Sequence, residues 1–209
     1  MGKIFATLLI GLMLTAGGRA ADQPADGAPG VDPLEDGIAA YQRGDFVAAL
    51  RLFQPLAERG DASAQCNLGV MYEQGRGVAQ NYREAMKWFR LAAVQGNASA
   101  QSNLGVMYYK GQGIAQDYGE AMRWYRLAAG QRNPEAQFNL GVMFEEGRGI
   151  AQDRVRAHMW FNLAAAHFPA ADSRDRNAAV TSRDAVASNM TAEELTDAQR
   201  LAREWKAAQ

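Results

Sequence analysis

Hydrophobic positions along this chain recur with the period of an α-helix and, over a longer range, with a step of 36 residues. In the run 64–71, Ala64, Leu68 and Met71 fall at i, i+4 and i+7, which is one face of a helix. The whole run Ala-Gln-Cys-Asn-Leu-Gly-Val-Met returns at 100–107, with Ser102 in place of Cys66, and at 136–143, with Phe138 there. A second run behaves the same way. Ala85-Met86-Lys87-Trp88-Phe89-Arg90-Leu91-Ala92-Ala93 is echoed by 121–129 and by 157–165. Self-similarity at this period is the signature of a solenoid of small supersecondary units.

Each unit divides into two predicted helices. The first covers about 62–74, 98–110 and 134–146; the second begins after Asn81, Asp117 and Asp153. The Gly-x-Gly turns at 75–77, 111–113 and 147–149 separate them, and the first glycine of each suits the left-handed residue that ends a helix. Glu84 and Glu120 stand three residues after their N-caps, the spacing of a capping box, whereas Arg156 breaks it in the third copy. Ala85, Trp88, Leu91 and Ala92 form a stripe for burial, and the tryptophans at 88, 124 and 160 read as wedges between layers. Glycines 69, 105 and 141 sit in mid-helix, where glycine costs about 1 kcal/mol relative to alanine. Their recurrence predicts a close approach that a Cβ would block.

The flanks depart from the period. Residues 34–61 read as a helical half-unit, with Pro55 a local kink, and 21–33 as a flexible leader rich in Pro, Gly, Asp and Ala. Residues 172–206 read as C-terminal capping helices that cover the last apolar layer. Thr191 and Glu194 there form a capping box. At the other end, Lys3, the apolar run 4–14 and the small-residue site Gly18-Arg19-Ala20 read as a cleaved signal peptide over 1–20. That run is too short to span ~30 Å of hydrocarbon, so no integral membrane insertion is expected after cleavage.

Charge and chemistry narrow the function. The chain has 22 basic and 23 acidic residues, and no basic stripe of the kind nucleic-acid binding needs. In an oxidising compartment a single cysteine cannot form an internal disulfide, so Cys66 reads as a small buried hydrophobe, with a reactive or intermolecular thiol as the alternative. The Gly-x-Gly turns follow helices, and no Lys-Ser or Lys-Thr follows them, which argues against a phosphate loop. The two histidines, His158 and His167, belong to no His-Glu-x-x-His segment, and His158 stands where the earlier copies have Met86 and Met122. No catalytic set, cofactor motif or metal cluster is expected.

The runs 64–77 and 85–93 and the 36-residue period resemble Sel1-like repeats, relatives of tetratricopeptide repeats, over 62–169. The resemblance implies an all-α, right-handed superhelix of helix pairs. It also implies an exported, non-enzymatic adaptor of the bacterial envelope, periplasmic or secreted, whose partner is a protein or peptide. An inhibitor or immunity protein closing on one enzyme would use the same groove. A cysteine-rich exported subgroup of the family binds or hydrolyses penicillin-like compounds and staples its helix pairs with disulfides. With Cys66 alone, a β-lactam-binding hydrolase stands last among these readings.

A solenoid offers a concave surface, and the first-helix residues opposite the 64/68/71 face are the expected contacts. These are Cys66, Val70 and Glu73 in the first copy, and Ser102, Val106, Tyr109 and Lys110 in the second. The third copy supplies Phe138, Val142, Glu145 and Glu146. Variation among Cys66, Ser102 and Phe138 inside an otherwise strict repeat points to freedom from the core, with Tyr109 and Phe138 as apolar anchors.

Overall fold

The computed structural model describes residues 32–207. The expected signal peptide over 1–20 lies outside the described residues, as does the leader up to 31. The last two leader residues join the fold: Asp32 accepts the N–H of Leu34 at 2.9 Å and caps a helix that begins at Pro33.

All regular structure among the described residues is helical. The order is α1 Pro33–Gln42, α2 Phe46–Glu58, α3 Ala62–Gln74, α4 Tyr82–Val94, α5 Ala98–Lys110, α6 Tyr118–Gly130, α7 Pro134–Glu146, α8 Arg154–His167, α9 Ser173–Ala187 and α10 Ala192–Ala207. From α1 to α9 each helix packs on the next, and α10 folds back onto α8. The result is an all-α repeat superhelix. Its odd-numbered helices up to α7 form the inner layer. Helix α5 approaches α7 directly, and the outward-turned Leu91, Val94 and Leu127 all belong to the even-numbered layer.

Short polar side chains fix where the helices begin. Asp61, Asn97 and Asn133 each accept the N–H three residues on, at 2.8–2.9 Å, which satisfies one of the free donors of α3, α5 and α7. The outer helices start on Asn81, Asp117 and Asp153. The expected capping boxes there form only by half. Glu84 and Glu120 lie against Lys87 (3.6 Å) and Arg123 (2.9 Å), one turn along the helix, instead of turning back to the cap. The reciprocal box closes at α10, where Glu194 N–H donates to Thr191 Oγ1 at 3.2 Å and Thr191 N–H to Glu194 Oε2 at 2.7 Å.

The glycines do two jobs in the turns. Gly75, Gly111 and Gly147 are left-handed, with φ of 68–69°, and end the inner helices. The second glycine of each turn lies against the start of the preceding outer helix. A Cβ on Gly77, Gly113 or Gly149 would stand 2.5–2.8 Å from Phe46, Tyr82 or Tyr118. The turn is therefore also a joint between successive pairs.

The mid-helix glycines receive an aromatic ring rather than a neighbouring backbone. A Cβ on Gly69, Gly105 or Gly141 would meet the ring of Phe89, Tyr125 or Phe161 at 2.4–2.7 Å. Each ring comes from the partner helix of the same pair and is fully buried. The glycine's helix cost of about 1 kcal/mol is offset by burying an aromatic side chain, about 1.5–3 kcal/mol. Gly37 receives Phe53 in the same way, at 2.5 Å. Residues 34–61 are thus a complete helix pair, α1 with α2, in which the short connection 43–45 replaces the longer turn 75–81.

A ladder of buried amides ties each pair to the one before. Gln65, Gln101 and Gln137 donate to the carbonyls of Ala57, Ala93 and Ala129 at 3.0–3.2 Å. Gln95 and Gln131 donate in turn to Gln65 and Gln101, both at 2.8 Å. His167 takes the third place, with Nδ1 2.8 Å from Gln137 Oε1. Trp124 and Trp160 are buried and Trp88 is half-buried, as the wedge reading expects. Leu91 is the exception in its stripe: it is exposed, and so is Leu127, because no element covers α4 and α6 there.

Candidate functional site

An α-helix advances about 100° per residue, so Ser63, Asn67, Val70 and Gln74 share one stripe of α3. This stripe is turned away from the core face of Ala64, Leu68 and Met71, all fully buried against the preceding pair. The equivalent stripes are Ser99, Asn103, Val106 and Lys110 on α5, and Glu135, Asn139, Val142 and Glu146 on α7. Together they line the inner surface of the superhelix. Asn and Val are identical in all three copies, while the ends of the stripes vary in charge.

Exposure grades along this surface. Asn67 and Asn103 are 4% and 8% exposed, whereas Asn139 and Val142 are half-buried. The Nδ2 group of Asn67 is buried and meets no acceptor. A primary amide carries two donor hydrogens and an acceptor oxygen, so this group holds unused hydrogen-bonding capacity closed inside the fold.

The residues picked from the sequence occupy a neighbouring stripe, and most are closed off. Cys66, Ser102 and Phe138 are buried, which corrects the expectation that variation there marks an exposed face. They face the interior of the stack, and the Phe138 ring lies 5.2 Å from that of Phe161. Burial pushes the Cys66 thiol up to about 12, with the nearby Glu73 carboxylate adding to the shift, so the thiolate is scarce at neutral pH. Glu73 is buried too. Its Oε2 lacks a partner, and burial raises its pKa against the pull of Lys110.

Tyr109, Lys110 and Glu145 stay at the rim. Tyr109 donates to Glu146 Oε2 at 3.0 Å; burial, then that hydrogen bond, lift its pKa to about 12. Lys110 is exposed. Glu145 is half-buried, with its pKa raised by burial and by Glu146. Its carbonyl accepts Gln152 Nε2 at 2.7 Å, a staple that Gln80 and Gln116 repeat on Glu73 and Tyr109.

Sequence reasoning missed Asn67, Asn103 and Asn139. Their strict recurrence was absorbed into the repeat pattern, although a polar residue kept beside a core face is itself a signal. Elsewhere the chemistry is structural. His158 is buried against α9, and burial followed by the Arg183 charge lowers its pKa. No three His, Cys, Asp or Glu side chains converge on a metal-sized site among the described residues. Nor is any of these helices long and apolar enough to cross a membrane.

Comparison with known proteins agrees with the repeat fold. The family model described as Sel1 repeat matches residues 34–61, 62–97, 98–133 and 134–167. A Sel1 repeat protein from Oxalobacter formigenes is 34% identical with a TM-score of 0.63, over 70% of this chain and 57% of that one. The protective antigen c5321 of uropathogenic Escherichia coli, which displays an SLR fold, is 26% identical with a TM-score of 0.54, over 81% of this chain and 45% of that one. The chain thus spans about half the length of these solved structures. No curated protein matches it.

Proposed function

The chain belongs to the Sel1-repeat family, whose repeats typically mediate protein–protein interaction, and from that premise we propose that it is an exported, non-enzymatic adaptor of the bacterial envelope. It takes a protein or peptide on its inner surface. The observation that carries this reading is the inner stripe. Asn and Val recur there in all three copies, the valines at the edge of the apolar core and the asparagines outside it. Tyr109, Lys110 and Glu145 form the rim of the same surface, and a ligand along the stripe reaches them without disturbing the stack. The buried Cys66, Glu73, Ser102 and Phe138 act from beneath, by holding the inner helices in place. Export is supported by Lys3, the apolar run 4–14 and the small residues at 18–20.

One experiment addresses both surface and compartment. A photo-cross-linking amino acid is placed at Val106 or Val142 on the inner stripe, or at the outward Val94, in the full chain expressed in intact cells. Covalent adducts are expected from 106 and 142 but not from 94, and in the periplasmic or released fraction. Adducts from 94 alone would refute the inner surface, and cytoplasmic adducts would refute export.

A further inference from the structure

We propose that the outer face formed by α2, α4 and α6 docks on the surface of an anionic lipid bilayer. The inference goes beyond the inner-surface reading and uses a different face, so either can fail without the other.

Helical register gathers this face. At about 100° per residue, Arg83, Arg90, Leu91 and Val94 all fall within about 60° of Lys87 on the outward side of α4. The same register puts Arg123, Arg126 and Leu127 outward on α6, and Val47 and Arg51 outward on α2. Val47, Leu91, Val94 and Leu127 are 55%, 40%, 75% and 46% exposed, and they are the exposed large apolar side chains among the described residues. Charge is as uneven as hydrophobicity. The three helices carry six basic residues against Glu58, Glu84 and Glu120, whereas the whole chain has 22 basic and 23 acidic residues. Glu84 and Glu120 are tied to Lys87 and Arg123. Arg83, Arg90 and Arg126 have no ion pair among the described residues. Folding thus brings together charges that the sequence spreads over successive units.

Helix α8 shows what the equivalent face carries when protein covers it. Under α9 and α10, Met159 stands where Lys87 and Arg123 stand, Asn162 replaces Arg90 and Arg126, and Leu163 is fully buried. Cover by the chain itself comes with loss of the charges. On α4 and α6 the charges stay beside exposed leucines, so the surface that complements them is both negative and apolar. An anionic bilayer is both. Its headgroups attract guanidinium and ammonium groups, and the boundary of its acyl chains receives aliphatic side chains. Arg and Lys reach the headgroups while their methylene stems lie along the apolar surface. Protein interfaces centre instead on aromatic anchors, and the exposed large apolar residues of this face are only Val and Leu. A second copy meeting this chain through the same face would set like charges against each other. Position 94 then meets lipid, in keeping with the absence of protein adducts expected from it.

Vesicles of phosphatidylcholine, with and without about one third phosphatidylglycerol, are the probe for the full chain. Co-sedimentation with the anionic vesicles is expected at about 0.1 M salt and its loss at about 0.5 M, with none on phosphatidylcholine alone. Replacing Arg83, Arg90 and Arg126 together by Gln should weaken binding about tenfold or more. Arg174→Gln with Arg176→Gln, also exposed but on α9, should change it less than about twofold. Contact with the apolar layer is read separately. Cys66 is the one cysteine and is buried, so Val94→Cys supplies the accessible thiol for a nitrobenzoxadiazole label. Its emission should rise and shift to the blue on anionic vesicles, whereas a label at Val142→Cys on the inner stripe should not respond. The labelled chain keeps every charge, so a misfolded arginine variant does not decide the matter. A silent label at 94, or vesicle binding that survives in the folded arginine variant, would overturn the proposal. Soluble polyglutamate bound as tightly as the vesicles would overturn it too and make an acidic protein the occupant of this face. None of these outcomes touches the inner-surface reading, which rests on positions 106 and 142.

Discussion

The third full helix pair and the two before it carry closely matching residues at matching positions, yet those residues meet different surroundings. On the outward face of α4, α6 and α8 the register places Lys87 with Leu91, Arg123 with Leu127, and Met159 with Leu163. Leu91 and Leu127 are 40% and 46% exposed, whereas Leu163 is 0% exposed. The tryptophans show the same contrast. Lys87 lies over the ring of Trp88 at 5.4 Å and Arg123 over that of Trp124 at 4.2 Å, but Trp160 meets Trp205 of α10 edge-on at 4.8 Å. Where the chain folds its last helices back, a basic side chain that shields the indole from water gives way to apolar cover. A repeat position therefore has no fixed energetic value. Its value is set by whichever layer comes next, and the cap supplies that layer once.

The contrast can be put to the test with one side chain. Leu163→Ala is expected to cost about 2–5 kcal/mol, the range for emptying a buried leucine site. Leu127→Ala, at the same register position, should stay within about 0.5 kcal/mol, as surface substitutions do. Chemical denaturation of the full chain under identical conditions measures both. Equal losses at the two sites would break the comparison and mean that the C-terminal helices α9 and α10 do not cover α8 in solution.

The same distinction explains how much was legible in the sequence. Periodicity located the helix pairs, the left-handed glycines and the wedge tryptophans, because these depend on neighbours within one unit or on the step between units. It also anticipated that the mid-helix glycines mark a close approach, although the partner is a ring, Phe89, Tyr125 or Phe161, and not a backbone. What periodicity could not resolve was which face of α3, α5 and α7 looks into the groove. Variation at 66, 102 and 138 suggested an open surface, but Phe138 fills an interior place against Phe161. The asparagines were hidden by the opposite error, since invariance was credited to the fold. The stripes holding 66 and 67 differ by one step of about 100° on the helix, so a small misreading of the face moves the whole site.

A second substitution sharpens the comparison at the inner end of the third pair. Glu135 stands where the earlier pairs have Ser63 and Ser99. Burial raises its pKa to about 7; its own backbone N–H and Asn133 oppose the shift, while Asp175 and Asp172 near the start of α9 add to it. Its Oε2 is buried without a hydrogen-bond partner. A carboxyl whose folded pKa exceeds its unfolded value binds its proton more tightly in the native state. Its penalty is therefore absent below the unfolded pKa, grows through the window up to about 7, and is complete above it. Glu135→Gln is expected to stabilise the chain by about 1–2 kcal/mol at pH 8 and by almost nothing at pH 4. Thermal melts at the two pH values check this, and a gain that is the same at both would mean that the charge of Glu135 is not what the fold resists.

The smallest expected effect comes from the last rung of the amide ladder. His167 occupies the place of Gln95 and Gln131. Gln137 uses its Nε2 hydrogens on the carbonyl of Ala129, so the oxygen it turns toward His167 is an acceptor and His167 Nδ1 must be the donor. An imidazole can do this as the Nδ1–H tautomer or as the cation, and a glutamine amide does it in either of the earlier pairs at the same 2.8 Å. His167→Gln should therefore restore the rung of the first two pairs and change stability by no more than about 1 kcal/mol, the net worth of one hydrogen bond, because Gln137 keeps a donor opposite its oxygen. The variant equates the third pair with its predecessors at this point while leaving the cap untouched. If it costs much more than that, the imidazole serves the junction between α8 and α9 as well as the ladder, and the third pair differs from the others on its inner side as well as its outer face.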